Sequence, residues 1–172
     1  MVTIEKATIK DAQLLSKLGS KTFLQSHGYS ASKQDITHYV RSHLNTDKFL
    51  SEISDYSNHF WVLYYNKQPI GYYKIVPNAS QENISHSYIT KLERLYLLEE
   101  FQQLKLGLKF FNHAVKETKR LNQNGLWLFT WVENHRAIAF YKKAGFKIVG
   151  EYYFKISKTH SNPNHQMLLL FD

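Results

Sequence analysis

Residues Leu92–Phe146 read LERLYLLEEFQQLKLGLKFFNHAVKETKRLNQNGLWLFTWVENHRAIAFYKKAGF. Leu92–Leu98 is rich in apolar and aromatic residues and predicts a strand. A polar turn follows, Glu99–Gln103, and then an amphipathic helix. In it Leu106, Phe110, Phe111, Ala114, Val115, Thr118 and Leu121 recur at three- and four-residue steps, while Lys105, Lys109, Asn112, Lys116 and Lys119 fall elsewhere. Gly125 breaks to a second strand, Leu126–Val132, and a short helix, Asn134–Ala144, ends at Gly145. The run is β-α-β-α. Its first strand-to-helix turn presents unpaired N–H groups and a partial positive charge, a setting that favours anions such as phosphate. Gln102, Lys105 and Lys109 bracket that helix start, and Gly107 in its first turn would let a ligand approach the backbone. A surface helix with lysines near its start can equally be an ordinary solvated element.

Two patterns within this stretch carry a family likeness. Gln102-Gln103-Leu104-Lys105-Leu106-Gly107 resembles the pyrophosphate loop of the GNAT superfamily of N-acetyltransferases, Gln/Arg-x-x-Gly-x-Gly/Ala. It matches at the first and last positions, and Lys105 stands where the loop has its middle glycine. Asn134–Phe146 resembles the superfamily pattern N-x-x-A-x-x-F-Y-x-K-x-G-F, coinciding at Asn134, Ala137, Phe140, Tyr141, Lys143, Gly145 and Phe146. Lys21-Thr22-Phe23, Phe49-Leu50-Ser51-Glu52, Pro69-Ile70-Gly71-Tyr72 and Leu92-Glu93-Arg94-Leu95-Tyr96 resemble the PaiA-type branch, whose described activity is polyamine N-acetylation.

The resemblance implies an α/β fold with a mixed, mostly antiparallel central sheet, splayed fourth and fifth strands and helices on both faces. It implies acetyl-CoA as cosubstrate and direct acetyl transfer to a primary amine, a polyamine such as spermidine or another small amine. The cofactor's pantetheine arm would enter the split, meeting backbone groups of Leu95 and Leu97, with Trp131 near the mouth. Gln102, Gln103, Lys105, Leu106, Gly107, Leu108 and Lys109 would hold the pyrophosphate, and Asn134, Ala137, Phe140 and Lys143 would contact the cofactor from the short helix. Tyr141 would be the acid for the leaving thiolate, although its helical stripe with Ala137 and Ile138 also suits a core residue. Glu93 would be the base, acting through water with a pKa raised by desolvation. It could equally only pair with a basic neighbour.

Composition frames these expectations. The chain has 172 residues, 43% hydrophobic and 15% aromatic, which is most simply one domain spanning 1–172. There is no cysteine, which excludes disulfides, thiolate catalysis and an acyl-thioenzyme, so direct transfer between two bound substrates is the natural mechanism. The charge of +8 attracts anions, including the phosphates of coenzyme A, yet no block of consecutive basic residues occurs. No His-Glu-x-x-His, zinc-spaced cluster, Gly-x-Ser-x-Gly elbow or complete NTPase phosphate loop is present, so no metal is expected. The charged first thirty residues lack a signal-peptide core, and no apolar run suits a membrane span, so the expected location is cytoplasmic.

Around the central stretch, Val2–Ala7 predicts a strand. Helices are expected over Ala12–Gln25 (capped by Asp11), from Ser32 with Asp35 to Leu44, and from a Thr46 cap through Ile53. Phe60–Tyr65 and Ile70–Val76 form a hairpin about Asn66-Lys67-Gln68-Pro69, and Pro77–Ser87 is a loop. Lys147–Ile156 and Gln166–Phe171 are the last strands, around a Ser157–Asn164 loop containing Pro163. A polyamine would require acids to converge, and Glu93, Glu133, Glu151, Asp35, Asp47 and Glu52 are the ones available, while His27, Tyr29, His38 and Tyr39 suit a flatter or less charged amine. The competing class is a regulatory or nucleic-acid-binding protein on the same fold. No helix-turn-helix or RNA-binding motif supports it. Pairing of two copies stays open.

Overall fold

The computed structural model describes residues 1–172. Its strands are β1 (Val2–Lys6), β2 (His59–Tyr65), β3 (Gln68–Val76), β4 (Ile89–Leu97), β5 (Gly125–Trp131), β6 (Lys147–Lys155) and β7 (Ser161–Leu170). Its helices are α1 (Ala12–His27), α2 (Lys33–His43), α3 (Thr46–Ser54), α4 (Leu106–Arg120) and α5 (His135–Lys143). The strands form one sheet in the order β1-β2-β3-β4-β5-β7-β6, antiparallel throughout except where β4 meets β5. Strand alternation divides the apolar residues between two cores. On one face Leu63, Tyr73, Ile75 and Leu128 meet Phe110, Phe111 and Ala114 of α4 and Tyr141 of α5. On the other, Phe60, Val62 and Tyr72 meet Leu15 and Phe23 of α1, Ile36 of α2 and Phe49 of α3. The mixed α/β architecture with helices on both faces is as expected.

The sheet is not continuous at its centre. β4 and β5 pair only through Ile89, Thr90 and Lys91 opposite Gly125, Leu126 and Trp127. Beyond that point β4 stays with β3 as far as Leu97, and β5 stays with β7 as far as Trp131, so the two strands diverge. A Cβ on Gly125 would meet the Leu169 carbonyl oxygen at 2.4 Å, so a residue without a side chain is needed where β5 enters between its neighbours. The Leu98 N–H donates to the Ile70 carbonyl at 2.9 Å. Backbone direction alternates along a strand, so the polar groups of Leu95 and Leu97 face away from β3, into the split.

A β-bulge lies where the divergence begins. Lys74 pairs with Arg94 and Ile75 with Leu92, which leaves Glu93 as the extra residue of β4. A bulge re-aims a side chain, and here Glu93 joins Lys74 and Arg94 beneath α3. Lys74 Nζ donates to Glu93 Oε1 at 2.8 Å and Glu52 Oε2 at 2.9 Å, and Arg94 reaches Glu52 Oε1 at 2.9 Å. The cations also lie over aromatic rings, Lys74 Nζ 5.6 Å from the Phe60 centroid and the Arg94 guanidinium carbon 5.3 Å from that of Phe49.

Several boundaries differ from expectation. The α1 entry is a 3-10 turn, Ile9–Asp11, in which Asp11 accepts from the Thr8 N–H at 2.7 Å rather than capping α1, and α1 runs on to His27. Asn45, not Thr46, caps α3, accepting from the Lys48 N–H at 2.9 Å. β7 begins at Ser161, not Gln166. Asn162-Pro163-Asn164 has turn-like composition, but Pro163 pairs with Tyr153, and its carbonyl accepts from the Val132 N–H at 3.0 Å. Tertiary pairing therefore overrides local turn chemistry there.

Burial pushes the Glu93 carboxyl up, but Lys74, through charge and hydrogen bond, together with Lys91 and Arg94, outweighs it and holds the group below the usual carboxylate range. The expected upward shift is absent because the bulge delivers Glu93 to those cations. A folded-state pKa below the unfolded ~4.3 contributes stability above that value, lost as pH falls through the folded pKa. Glu93→Gln is therefore expected to destabilise the protein at pH 7 by roughly 1–2 kcal/mol in urea unfolding, a modest figure because solvent reaches the carboxyl. The difference from wild type should narrow as pH falls through the lowered folded-state pKa of Glu93, below which both side chains are neutral.

Candidate active site

The expected cofactor turn lies at the open end of the split. It begins as a 3-10 turn, Glu99–Leu104, and Lys105 then takes the left-handed conformation, φ 56° and ψ 15°. For a residue with a Cβ that conformation costs roughly 1–2 kcal/mol. Lys105 thus holds a backbone conformation that favours glycine and projects an exposed side chain. Helix α4 follows with no side-chain cap, so its first N–H groups are free for an anion. A Cβ placed on Gly107 would meet nothing within 4 Å, so the space before that helix end is open. Leu108, Lys109 and Gln103 are exposed, whereas the Leu106 side chain is buried in the core and has only its backbone to offer.

Gln102 is used differently from the expectation. Its Nε2 donates to the Leu97 carbonyl at 3.0 Å, and its Oε1 accepts from Arg136 at the start of α5. The side chain is a clasp across the open end of the split, holding the turn to β4 and α5. Leu97 therefore has its carbonyl engaged, and Leu95 is the next β4 residue that faces the gap.

Asn134 caps α5, its Oδ1 accepting from the Ala137 N–H at 3.2 Å, and Ala137 and Phe140 are half-buried against the α4 core. Tyr141 follows, with ring centroids 5.3 Å from Phe146 and 6.4 Å from Phe111. Tyr141 is a member of the core between the sheet, α4 and α5. Burial, with the Tyr96 hydroxyl nearby, raises the phenol and keeps it protonated. Lys143 is not brought to the same place. Two residues beyond Tyr141, it is turned by ~200° around the helix, and it is exposed.

Across the split, α1 delivers a residue that periodicity did not single out as catalytic. His27 is the last residue of α1. Its ring stacks on Phe23 at 5.0 Å, approaches Trp131 of β5 at 5.7 Å and meets Tyr96 of β4 edge-on at 6.3 Å. Tyr96 and Trp131 lie on the two diverging strands, so His27 spans both walls of the gap. Phe23 continues the stack to Tyr39 of α2 at 4.8 Å. Burial lowers the His27 pKa to about 4. The sequence signal was the Phe23–His27 pair, four residues apart at a helix end before Gly28. Lys74 was missed as well, and its signal was one charge inside an otherwise apolar strand.

The carboxylates do not gather into a free acidic patch. Glu52 and Glu93 converge, but Lys74, Arg94 and Lys91 all lie within 4 Å of one or both, with Lys91 Nζ 3.6 Å from Glu93. Glu133 is exposed beside His135, Asp35 accepts from Ser32 at the exposed start of α2, and Glu151 and Asp47 are exposed.

Comparison with known proteins agrees with this geometry. Residues 26–146 match the Acetyltransferase (GNAT) family. The chain is 28% identical over 154 residues to an uncharacterized N-acetyltransferase of Lactobacillus delbrueckii subsp. lactis, covering 89% of this chain and 88% of that one. It is 24% identical over 153 residues to the spermidine N(1)-acetyltransferase of Thermoplasma acidophilum, covering 86% and 89%. Its fold superposes on the PaiA N-acetyltransferase of Thermoplasma acidophilum, solved with coenzyme A, with a TM-score of 0.79 at 22% identity and 99% coverage of both chains. The split sheet, the uncapped helix after β4 and the matched span together show that the chain belongs to the acetyltransferase (GNAT) family.

Proposed function

We propose that the chain transfers the acetyl group of acetyl-CoA directly to a small primary amine within the β4–β5 split. The observation that carries the reading is a strand edge of β4 left unpaired beyond Lys91, leading to the uncapped start of α4. In this reading the backbone from Leu106 to Lys109 holds the pyrophosphate, with the Lys105 and Lys109 ammonium groups as counter-charges. The Leu95 backbone takes the arm as a strand would take a neighbour, beside Asn134, Ala137 and Phe140. The bound cosubstrate supplies the acetyl thioester. Tyr141 donates a proton to the departing sulfur. Its raised pKa keeps the proton available, and the same desolvated setting raises the basicity of a thiolate. Glu93 anchors Lys74 and so maintains the bulge that opens the split.

A polyamine acceptor such as spermidine is the finer reading. The approach of Glu52 to Glu93 and the likeness to a spermidine acetyltransferase favour it. Both carboxylates are already engaged by cations, however, and the neighbouring walls are the rings of His27, Tyr39, Tyr96 and Trp131. This arrangement favours an amine with one charge and a flat or apolar body over a polycation.

An amine panel with acetyl-CoA, following thiol release, tests both levels. Turnover of a monoamine such as tyramine at least as fast as spermidine is expected, and a strong preference for spermidine would restore the polyamine reading. No turnover of any amine would count against transfer itself. In the same assay Tyr141→Phe should lower kcat by about 10²–10⁴ with unchanged coenzyme A affinity by calorimetry. Near-normal turnover would make Tyr141 a packing residue.

A further inference from the structure

We propose that His27 is the catalytic residue that accepts a hydrogen bond, and then the proton, from the acetyl-accepting amine. The inference rests on the acetyltransferase reading of the split and assigns the proton acceptor within it. Its ground is the position of the ring, which lies against Trp131 on one wall and Tyr96 on the other. Tyr96 belongs to β4 and Trp131 to β5, so the ring stands between the two strands where they no longer pair.

A hydrogen-bond chain sets the tautomer. Ser26 Oγ lies 2.9 Å from the Thr22 carbonyl and 2.7 Å from His27 Nδ1. A serine inside a helix commonly donates to the carbonyl four residues back, and its hydroxyl has one proton. With that proton on Thr22, the hydroxyl oxygen must accept from Nδ1–H. Nε2 is then left with its lone pair, and no protein group bonds to it. Stacking on Phe23 at an interplanar angle of 10° fixes the plane of the ring.

Other nearby groups are less suited. Glu93 Oε1 is held by Lys74 Nζ at 2.8 Å, and Glu52 carries both Lys74 and Arg94. Tyr39 and Tyr96 are buried phenols whose pKa values are raised, so they keep their protons. The lowered pKa of His27 leaves its lone pair free at neutral pH and avoids placing a cation beside an incoming amine.

The lone pair of the neutral amine forms the N–C bond to the thioester carbonyl carbon. The C–S bond breaks with its electrons on sulfur, and sulfur takes the Tyr141 proton. The surplus proton on nitrogen passes to His27 Nε2, and solvent returns a proton from the imidazolium to the Tyr141 phenolate. Imidazole is a weak base here, but a nitrogen becoming an amide is a far stronger acid than an ammonium, which makes the transfer downhill.

Two measurements test the assignment. Nitrogen-detected NMR of the full chain at pH 7, without substrates, should show His27 protonated at Nδ1 and bare at Nε2, and the opposite tautomer or a charged ring would overturn the proposal. In kinetics, His27→Phe preserves a flat ring against Phe23 and removes the lone pair, whereas His27→Gln offers a carbonyl oxygen near the Nε2 position. Both should lower kcat by ~10²-fold or more while coenzyme A affinity by calorimetry stays within about twofold. His27→Gln should keep an amine KM nearer wild type than His27→Phe. If His27→Phe retains kcat within threefold of wild type, the assignment is wrong. Should His27→Phe fail to fold or to bind coenzyme A, the His27→Gln kinetics and the tautomer decide. Loss of amine turnover in the wild type would instead strike the underlying acetyltransferase reading.

Discussion

Lys74 is an ammonium on a strand whose neighbours are apolar, 5% exposed, and much of the site depends on how it is satisfied. A buried charge must be paired. The partners available are Glu52, from the helix above, and Glu93, which reaches it only because β4 carries one more residue than β3 at that point. The bulge this creates sits just beyond Lys91, the last β4 residue paired with β5. Charge satisfaction, strand irregularity and the opening of the sheet are in this sense one feature. Each member has more than one partner, so removing one leaves the others still paired and keeps the cost of a single substitution moderate.

The two sides of the split are tied to each other outside the sheet. Lys21 of α1 lies 2.6 Å from Glu100 in the turn before α4, and Gln25 Nε2 donates to the same carboxylate at 3.3 Å. Gln25 also accepts from the Glu99 N–H at 3.3 Å. The helix that ends in His27 is thus fastened to the turn that begins the proposed pyrophosphate site, while Gln102 fastens that turn to β4 and α5. The surface pair contributes little to stability by itself. No helix of the structure is long and apolar enough to cross a membrane.

Much of the architecture was legible because period and motif agreed. The three- and four-residue recurrence of Leu106, Phe110, Phe111 and Ala114 placed α4, and the Asn134–Phe146 pattern placed α5 with Asn134 as its cap. What was not legible was set by contacts distant in sequence. Asn162-Pro163-Asn164 has turn composition and became strand through β6. A carboxylate on the β4 stretch suggests a base in a desolvated cleft, but the charge environment of Glu93 is made by Lys74, nineteen residues away, and by a bulge that no strand pattern reveals. His27 has no motif of its own, and its place over the gap comes from aromatic stacking between α1, α2 and β5. Lys105 was a visible departure, and its left-handed backbone shows how the turn absorbs it.

In the proposed reading the unpaired edge of β4 and the start of α4 form one binding surface for coenzyme A. Amide hydrogen exchange at single-residue resolution, with and without saturating coenzyme A, tests it most directly. Slowed exchange is expected at Leu95, Gly107 and Leu108, with little change at Leu126 or Leu128, which β7 already pairs. Unchanged exchange at Leu95 and at the start of α4, with protection elsewhere on the surface, would contradict it.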